Sequence, residues 1–277
     1  MYKVFSVPSV PPWSVTTGLP ADVGEALARA QSRLGRFEGR LSWHEEVGST
    51  NDLAIAAAEA GAPDGLVVAA NAQSAGRGRV TRTWSSPPGA GLYVSVVLRP
   101  AGPVLQLLTI AAGVAIAEGI HAASGLDPSV KWPNDVYAGP RKLAGILAEA
   151  GSSAGTVDYV VLGFGVNVRA AAYPPDVAAR ATSIESELGR SVDRGLVLAE
   201  CLAALSNRYD MLQRGAADDV IAAWRARAAT HMGRVVEWDT EHGARRGVAE
   251  DIDSAGALLV RLDEQIVRVI SSEVRWL

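Results

Sequence analysis

Between residues 49 and 167, segments of strand-like composition alternate with Ala-rich segments of helical period. LVVAANA from Leu66 and GLYVSVVLRP from Gly91 are strand candidates, whereas residues 103–124 repeat apolar side chains with a period near 3.6. Three more strand-like segments follow: SVKWPNDVY, RKLAGILAEAG and TVDYVVLGFGVNV. Helices are expected over 191–213 and 217–229. The alternation predicts a domain that mixes helices with a β-sheet.

The 277 residues allow either one large domain or one large domain plus a small one, because domains commonly hold roughly 100–200 residues. Residues 1–40 form a predicted N-terminal extension, partly disordered, with one short helix from Ala21 to about Arg36. Residues 41–230 form the predicted main domain. After residue 230, short alternating segments separated by turns predict five antiparallel strands and a small barrel over 231–277.

Composition excludes several classes of protein. The net charge of −4 argues against a general nucleic-acid binder, and the lone Cys201, expected to be packed in a helix, cannot form an intrachain disulfide. The four histidines lack metal-binding spacing, so no metal centre built from protein ligands is expected. No signal peptide or membrane-spanning run is expected, and a reducing, cytoplasmic setting fits the chain.

The segment from Gly76 to Trp84, GRGRVTRTW, puts three arginines into a short loop between two predicted strands. Glycine lets the backbone approach a ligand closely, and forked guanidinium donors match phosphate and carboxylate oxygens. The loop is therefore interpreted as an anion cradle, with a solvated hairpin tip as the alternative.

Three further segments carry polar or glycine residues at strand ends. Lys131 to Asp135 reads KWPND, and Pro133 places the Asn-Asp pair at a strand end or a bend. Lys142 opens an alternating strand, where an edge-strand lysine is the alternative reading. The glycines of Gly163 to Asn167 mark either a bulge or a close approach to a ligand.

Together, GRGRxxRxW, KWPND, RKLAGIL and GxGxN, preceded by Ser-Thr-Asn at a helix start, resemble the biotin protein ligases. The resemblance is strong over about 45–170 and loose in the C-terminal region. It implies an α+β fold: a mixed-sheet catalytic domain of the biotin/lipoate ligase type with a small C-terminal SH3-like β-barrel. It also implies a monofunctional ligase without a DNA-binding domain, which activates biotin as biotinyl-5′-AMP with ATP and transfers it to a lysine of a biotin carboxyl carrier domain.

The resemblance implies a role for individual residues. Lys142, between the biotin carboxylate and the α-phosphate, and Arg79, which would retain the adenylate, are the expected catalytic residues. The positions that match biotin-binding residues are Ser49, Thr50, Asn51, Gln73, Gly76, Arg77, Gly78, Arg79, Lys142, Gly145, Leu147, Gly163 and Gly165. The positions that match ATP-binding residues are Arg77, Arg79, Arg82, Trp84, Asn134, Asp135, Lys142 and Asn167.

The resemblance also implies partners and leaves alternatives. Mg²⁺ would arrive with ATP, and the carrier domain of a biotin-dependent carboxylase would be the protein substrate, with no nucleic acid or membrane involved. A monomer or a ligand-dependent homodimer is expected. A lipoate or octanoyl ligase or transferase of the same fold is one alternative function, and a biotin-responsive repressor is another. Thr81 stands where glycine is common in the family, and a β-branched residue there restricts the backbone path of the loop next to Arg82.

Overall fold

The computed structural model describes residues 18–79, 82–100, 105–153, 156–171, 173, 175–241, 243–270 and 274–277. Its helices are α1 (Ala21–Leu34), α2 (Thr50–Glu59), α3 (Leu105–Ser124), α4 (Pro175–Ala178), α5 (Ile184–Leu188), α6 (Arg194–Gln213) and α7 (Ala217–Ala228). Its strands are β1 (Leu41–His44), β2 (Val67–Ala70), β3 (Gly91–Leu98), β4 (Ser129–Lys131), β5 (Asp135–Ala138), β6 (Arg141–Ser153), β7 (Thr156–Asn167), β8 (Val235–Thr240), β9 (Gly243–Ile252), β10 (Leu258–Leu262), β11 (Gln265–Val269) and β12 (Val274–Trp276).

The larger sheet is mixed, as the sequence predicts. Its seven strands lie in the order β1-β2-β3-β7-β6-β5-β4. The β1–β2 pair is parallel, and every other neighbouring pair is antiparallel. Strand β3 is buried along all eight residues, which explains its nearly continuous apolar run.

The KWPND segment forms two short strands rather than one. Strand β4 ends at Lys131 and β5 begins at Asp135, so Pro133 lies in the turn between them. Proline has no backbone N–H to donate to a sheet, and the turn is therefore where it is tolerated. The predicted bend at Asn134 is confirmed.

Helix α3 contacts α6, α7 and β6 at the centre of the main domain. Its segment Leu107–Ser124 is long and apolar enough to cross a membrane, but 67% of it is buried inside the protein. Gly119 allows α6 to approach closely, because a Cβ on it would lie 2.5 Å from the backbone nitrogen of Cys201. Cys201 is buried and free, as expected, and burial raises the pKa of its thiol.

Helix α1 belongs to the same core. Its face of Val23, Ala26, Ala30 and Leu34 is buried against α6, and Leu27 packs beside it. Arg33 also donates two hydrogen bonds of 2.6 Å to the carboxylate of Glu200. The helix predicted from Ala21 is confirmed, while residues 1–17 of the predicted extension lie outside the described residues.

The C-terminal strands form a second, antiparallel sheet in the order β11-β10-β9-β8-β12. All five predicted strands are present, and their inward side chains include Val236, Trp238, Leu258 and Val260. The indole N–H of Trp132 donates a 2.9 Å hydrogen bond to the carbonyl of Gly256 and so links the KWPND turn to this sheet.

Candidate active site

The segments singled out in the sequence meet around one cavity of about 520 Å³. Antiparallel pairing of β6 with β7 places Gly145 opposite Gly165 and Leu147 opposite Gly163, which brings two of the segments side by side. The predicted residues that line the cavity are Ser49, Thr50, Asn51, Gln73, Arg77, Gly78, Arg79, Arg82, Trp84, Asn134, Asp135, Lys142, Gly145, Leu147, Gly163, Gly165 and Asn167.

Gly76 is the one predicted residue outside this lining. It lies at the base of the arginine loop, where its carbonyl accepts a 2.9 Å hydrogen bond from the N–H of Trp84. A Cβ on Gly76 would lie 2.4 Å from the carbonyl oxygen of Trp84, so only glycine fits there. Gly78 N also donates a 2.7 Å hydrogen bond to Arg82 O, which joins the two sides of the loop. Thr81, the departure from the family pattern, lies outside the described residues.

The three arginines of the loop differ in their surroundings. Arg79 and Arg82 line the cavity. Arg77 also borders it, but its guanidinium forms ion pairs with Asp52, at 2.6 Å, and with Glu149. Burial opposes the charged form of Arg77, but the hydrogen bond to Asp52 and the charge of Glu149 outweigh it and raise the pKa.

Lys142 and Trp84 lie close together in the cavity lining. Lys142 Nζ lies 2.6 Å from Asp135 Oδ1 and 5.3 Å from the centre of the Trp84 ring. The Trp84 indole nitrogen is buried without a hydrogen-bond partner among the described residues. It lies over Gly165, where a Cβ would approach it to 2.5 Å. A buried polar group without a partner is energetically costly, so the indole N–H of Trp84 is a donor that a bound ligand would satisfy.

Polar side chains gather at the N-terminus of α2. Gln73 Oε1 accepts hydrogen bonds from Thr50 N at 2.8 Å and from Thr50 Oγ1 at 3.1 Å. Ser95 Oγ lies 2.8 Å from Thr50 Oγ1 and 2.6 Å from Asn51 Oδ1. Ser49 is the residue before the helix and makes no side-chain capping bond, so its buried hydroxyl borders the cavity instead.

The side-chain amides of the two predicted ATP-binding asparagines donate hydrogen bonds to backbone carbonyls. Asn134 Nδ2 donates to Ile146 O at 2.5 Å, and Asn167 Nδ2 donates to Thr182 O at 2.9 Å. Asn167 is only 4% exposed. Both amides therefore fix the shape of the wall, and each keeps its oxygen for other contacts.

Several cavity residues were not identified from the sequence. Lys131 Nζ lies 4.7 Å from the ring centre of Tyr137 and 5.4 Å from that of Trp276, which comes from β12. Burial lowers the pKa of Lys131, and the charges of Arg234 and Lys142 lower it further against the opposing charge of Asp135. A sequence signal for Lys131 is its place at the start of the KWPND segment. Ser95, which contacts Thr50 and Asn51 but does not line the cavity, is marked only as a lone hydroxyl in an apolar strand. Nothing local in the sequence points to Trp276.

Among the described residues, no group of three or more His, Cys, Asp or Glu side chains is arranged to hold a metal ion. Asp135 is the carboxylate beside Lys142 on the cavity wall.

The family model described as "Biotin/lipoate A/B protein ligase family" matches residues 45–167, and "Biotin protein ligase C terminal domain" matches residues 231–275. A biotin--[acetyl-CoA-carboxylase] ligase from Mycobacterium tuberculosis is 35% identical over 237 residues, covering 83% of this chain and 86% of that protein. The bifunctional ligase/repressor BirA of Bacillus subtilis is 33% identical over 259 residues, covering 92% and 79%.

Among solved structures, the biotin protein ligase from Aquifex aeolicus in complex with biotin and ATP superposes with a TM-score of 0.76 at 28% identity. The match covers 86% of this chain and 98% of that chain. Fold, motifs and relatives agree with the resemblance read from the sequence. The chain therefore belongs to the biotin protein ligases.

Proposed function

We propose that this protein uses ATP to activate biotin as biotinyl-5′-AMP and then transfers the biotinyl group to a lysine of a biotin carboxyl carrier domain. The observation that carries the proposal is the cavity itself. It joins a polar helix end, a floor without side chains at Gly163 and Gly165, and the cationic groups of Lys142 and Arg79. A small acid with a polar head group and a nucleotide fit side by side in a cavity with such a lining.

The first step joins two anions. An oxygen of the biotin carboxylate attacks the α-phosphorus of ATP, and the bond from that phosphorus to the bridging oxygen of pyrophosphate breaks. Both reactants carry negative charge, so fixed cations and a fixed geometry lower the barrier most. Lys142 is the proposed centre of this stabilisation, with Asp135 holding its ammonium in place before the ligands bind.

The biotin head group is proposed to lie against the N-terminus of α2. Ser49, Thr50 and Gln73 present hydroxyl and amide groups there, and the missing side chain at Gly163 lets the Asn51 amide lie directly against the sheet, because a Cβ would come within 2.1 Å of Asn51 Oδ1. Polar donors and acceptors at a helix N-terminus suit a ureido ring, which both donates and accepts hydrogen bonds.

The second step transfers the acyl group. The neutral amine of the carrier lysine attacks the carbonyl carbon of the mixed anhydride, the bond from that carbon to the phosphate oxygen breaks, and AMP leaves with the bonding electron pair. The nitrogen releases one proton to solvent as the amide forms. Arg79 is proposed to hold the adenylate until the carrier arrives, because a forked guanidinium suits a phosphate.

Mg²⁺ is proposed to arrive with ATP, with Asp135 as the residue of this chain best placed to meet it. When bound, the cation would neutralise phosphate charge. We also propose a cytoplasmic location, which the single buried thiol of Cys201 supports, and either a monomer or a ligand-dependent homodimer, which sedimentation with and without biotin and ATP would distinguish.

The test is incubation of the protein with biotin, labelled ATP and a carrier domain. Pyrophosphate release that requires biotin, together with acylation of one carrier lysine, is the expected result. Parallel reactions with lipoate and octanoate test the alternative acyl groups, and efficient use of either in place of biotin would overturn the proposal. Binding to DNA only in the presence of biotin and ATP would instead favour the repressor alternative.

A further inference from the structure

Arg77, at the base of the arginine loop, forms ion pairs with two carboxylates of the protein itself. Arg77 Nη1 donates a 2.6 Å hydrogen bond to Asp52 in the first turn of α2, and Nη2 pairs with Glu149 in β6. Two carboxylates from two separate elements thus occupy both arms of the guanidinium. An arginine held in this way has little net charge left for a further anion.

Glu149 is also tied on its other oxygen. Glu149 Oε2 accepts a 2.8 Å hydrogen bond from Asn51 Nδ2, and Asn51 Oδ1 lies 2.6 Å from Ser95 Oγ. Asn51 is 4% exposed, and the Cα of Gly163 faces it so closely that a Cβ would lie 2.1 Å from Asn51 Oδ1. A continuous chain of polar contacts therefore runs from the loop to the floor of the cavity.

From these contacts we propose that the Arg77 guanidinium has a positioning role: it anchors the loop to α2 and β6 through Asp52 and Glu149 and does not itself pair with an anion of the nucleotide or of biotin. The inference rests on the proposed function, because it assigns a division of labour within that site. Arg79 and Lys142 bind the anions, and Arg77 holds the base of the loop at a fixed distance from them.

The two possible roles of Arg77 predict opposite signs when its carboxylate partners are neutralised. If Arg77 is an anchor, Asp52→Asn or Glu149→Gln loosens the loop, and biotinyl-5′-AMP dissociates faster. If Arg77 is an anion ligand, the same changes free its charge and the adenylate dissociates more slowly. Because the pairs are partly exposed, we expect about a two- to fivefold effect for Asp52→Asn. Glu149→Gln, which also disturbs Asn51, should give a larger one.

The experiment measures the dissociation rate of preloaded biotinyl-5′-AMP for the wild type, Asp52→Asn, Glu149→Gln, Arg77→Gln and the Arg77→Gln/Glu149→Gln double variant. Since the two partners act as one unit, the double variant should dissociate adenylate no faster than the worse single variant. Glu118→Gln is the matched control, because it removes an equivalent ion pair, with Arg208, between α3 and α6. Its adenylate should dissociate at the wild-type rate.

Slower dissociation in Asp52→Asn or Glu149→Gln, or multiplying effects in the double variant, would overturn the anchor role. If Glu149→Gln fails to fold, Asp52→Asn still shows whether adenylate dissociation becomes faster or slower. The Asp52 side chain is 60% exposed, so replacing it perturbs little packing. A wild-type protein that forms no adenylate at all would count against the proposed function itself, and the two failures are thus distinguishable.

Discussion

The ammonium of Lys142 lies 2.6 Å from the carboxylate of Asp135, although the two residues belong to different strands. Strands β5 and β6 pair directly, with Asp135 opposite Gly145 and Tyr137 opposite Lys142. The two residues are seven positions apart in sequence, and their pairing therefore depends on the register of the two consecutive strands. It holds the lysine head group in the cavity lining, 5.3 Å from the centre of the Trp84 ring.

Replacing Lys142 by methionine should abolish most adenylate formation. The change keeps most of the length of the side chain and removes the charge that would stabilise the crowded phosphate oxygens, so we expect a loss of about 10²- to 10³-fold. The measurement is biotin-dependent release of pyrophosphate. Arg141→Gln is the control, since this neighbouring cation is paired with Glu187 at 2.7 Å outside the cavity lining and should keep its rate. A normal rate in Lys142→Met would mean that another group supplies this charge.

Most of the fold could be predicted from the sequence because its signals are local. The period of α3, the β-branched runs of β3 and β7 and the turn at Pro133 each depend on a few neighbouring residues. The four segments with chemical groups were also recognisable, and the cavity does bring them together. Their spatial arrangement was available only through the resemblance to a family.

The rest of the site depends on register between distant strands. Ser95 reaches the polar cluster because β3 pairs with β7 and places it opposite Gly163. A shift of one residue would turn Ser95 to the other face of the sheet, and the apolar run around it does not specify the register. Trp276 reaches Lys131 only because the small C-terminal sheet packs beside the KWPND turn. No pattern near either residue carries that information.

Replacing Arg79 by glycine should release the adenylate early. Arg79 borders the cavity in the loop, and its loss removes a forked cation from the proposed adenylate site. We expect biotin to appear on lysines of an unrelated bystander protein, because free adenylate acylates amines without selection. Mass spectrometry of the bystander measures this. Selective labelling of the carrier by an active variant would show that Arg79 does not retain the adenylate.

Replacing Gly165 by alanine should impair activity more than stability. The new Cβ would meet the Trp84 indole at 2.5 Å, and displacement of this ring would also move the wall beside Lys142. A displacement of about 1 Å in an active site can lower the rate about 100-fold. The control is Gly24→Ala in α1, where nothing lies within 4 Å of the added Cβ. That variant should keep full activity. Equal rates for both variants would exclude a role for the close contact.

Replacing either of two glycines of α3 by alanine should change the stability of the protein, in opposite directions. At Gly119 the added Cβ would lie 2.5 Å from the backbone of Cys201 in α6, so the helices must separate, at a cost of about 1–3 kcal/mol. At Gly113 the nearest atom, in Val130, lies 3.9 Å away, and the higher helix propensity of alanine should stabilise the protein by up to about 1 kcal/mol. Urea unfolding of both variants measures the difference. A stabilised Gly119→Ala variant would contradict the close packing of α3 on α6.

His231 should make the stability of the protein depend on pH below neutrality. The ring is buried at the start of the C-terminal region, with Nε2 3.0 Å from Ser129 Oγ and the rings of Tyr137 and Trp276 within 6.0 Å. Burial, together with the nearby charges of Lys131 and Arg234, lowers its pKa to about 4. The folded protein therefore holds this histidine neutral.

The sign follows from the proton count. Between about pH 6.5, where histidine titrates in the unfolded chain, and the folded pKa of about 4, the unfolded state binds the extra proton. Stability is thus complete above pH 6.5 and decreases as the pH falls, by on the order of 2 kcal/mol at pH 4.5. Urea unfolding of wild type and His231→Gln at pH 7 and pH 4.5 isolates this contribution, because the carboxylates titrate in both proteins. If the two proteins lose the same stability over this range, the ring of His231 accepts its proton without cost in the folded state.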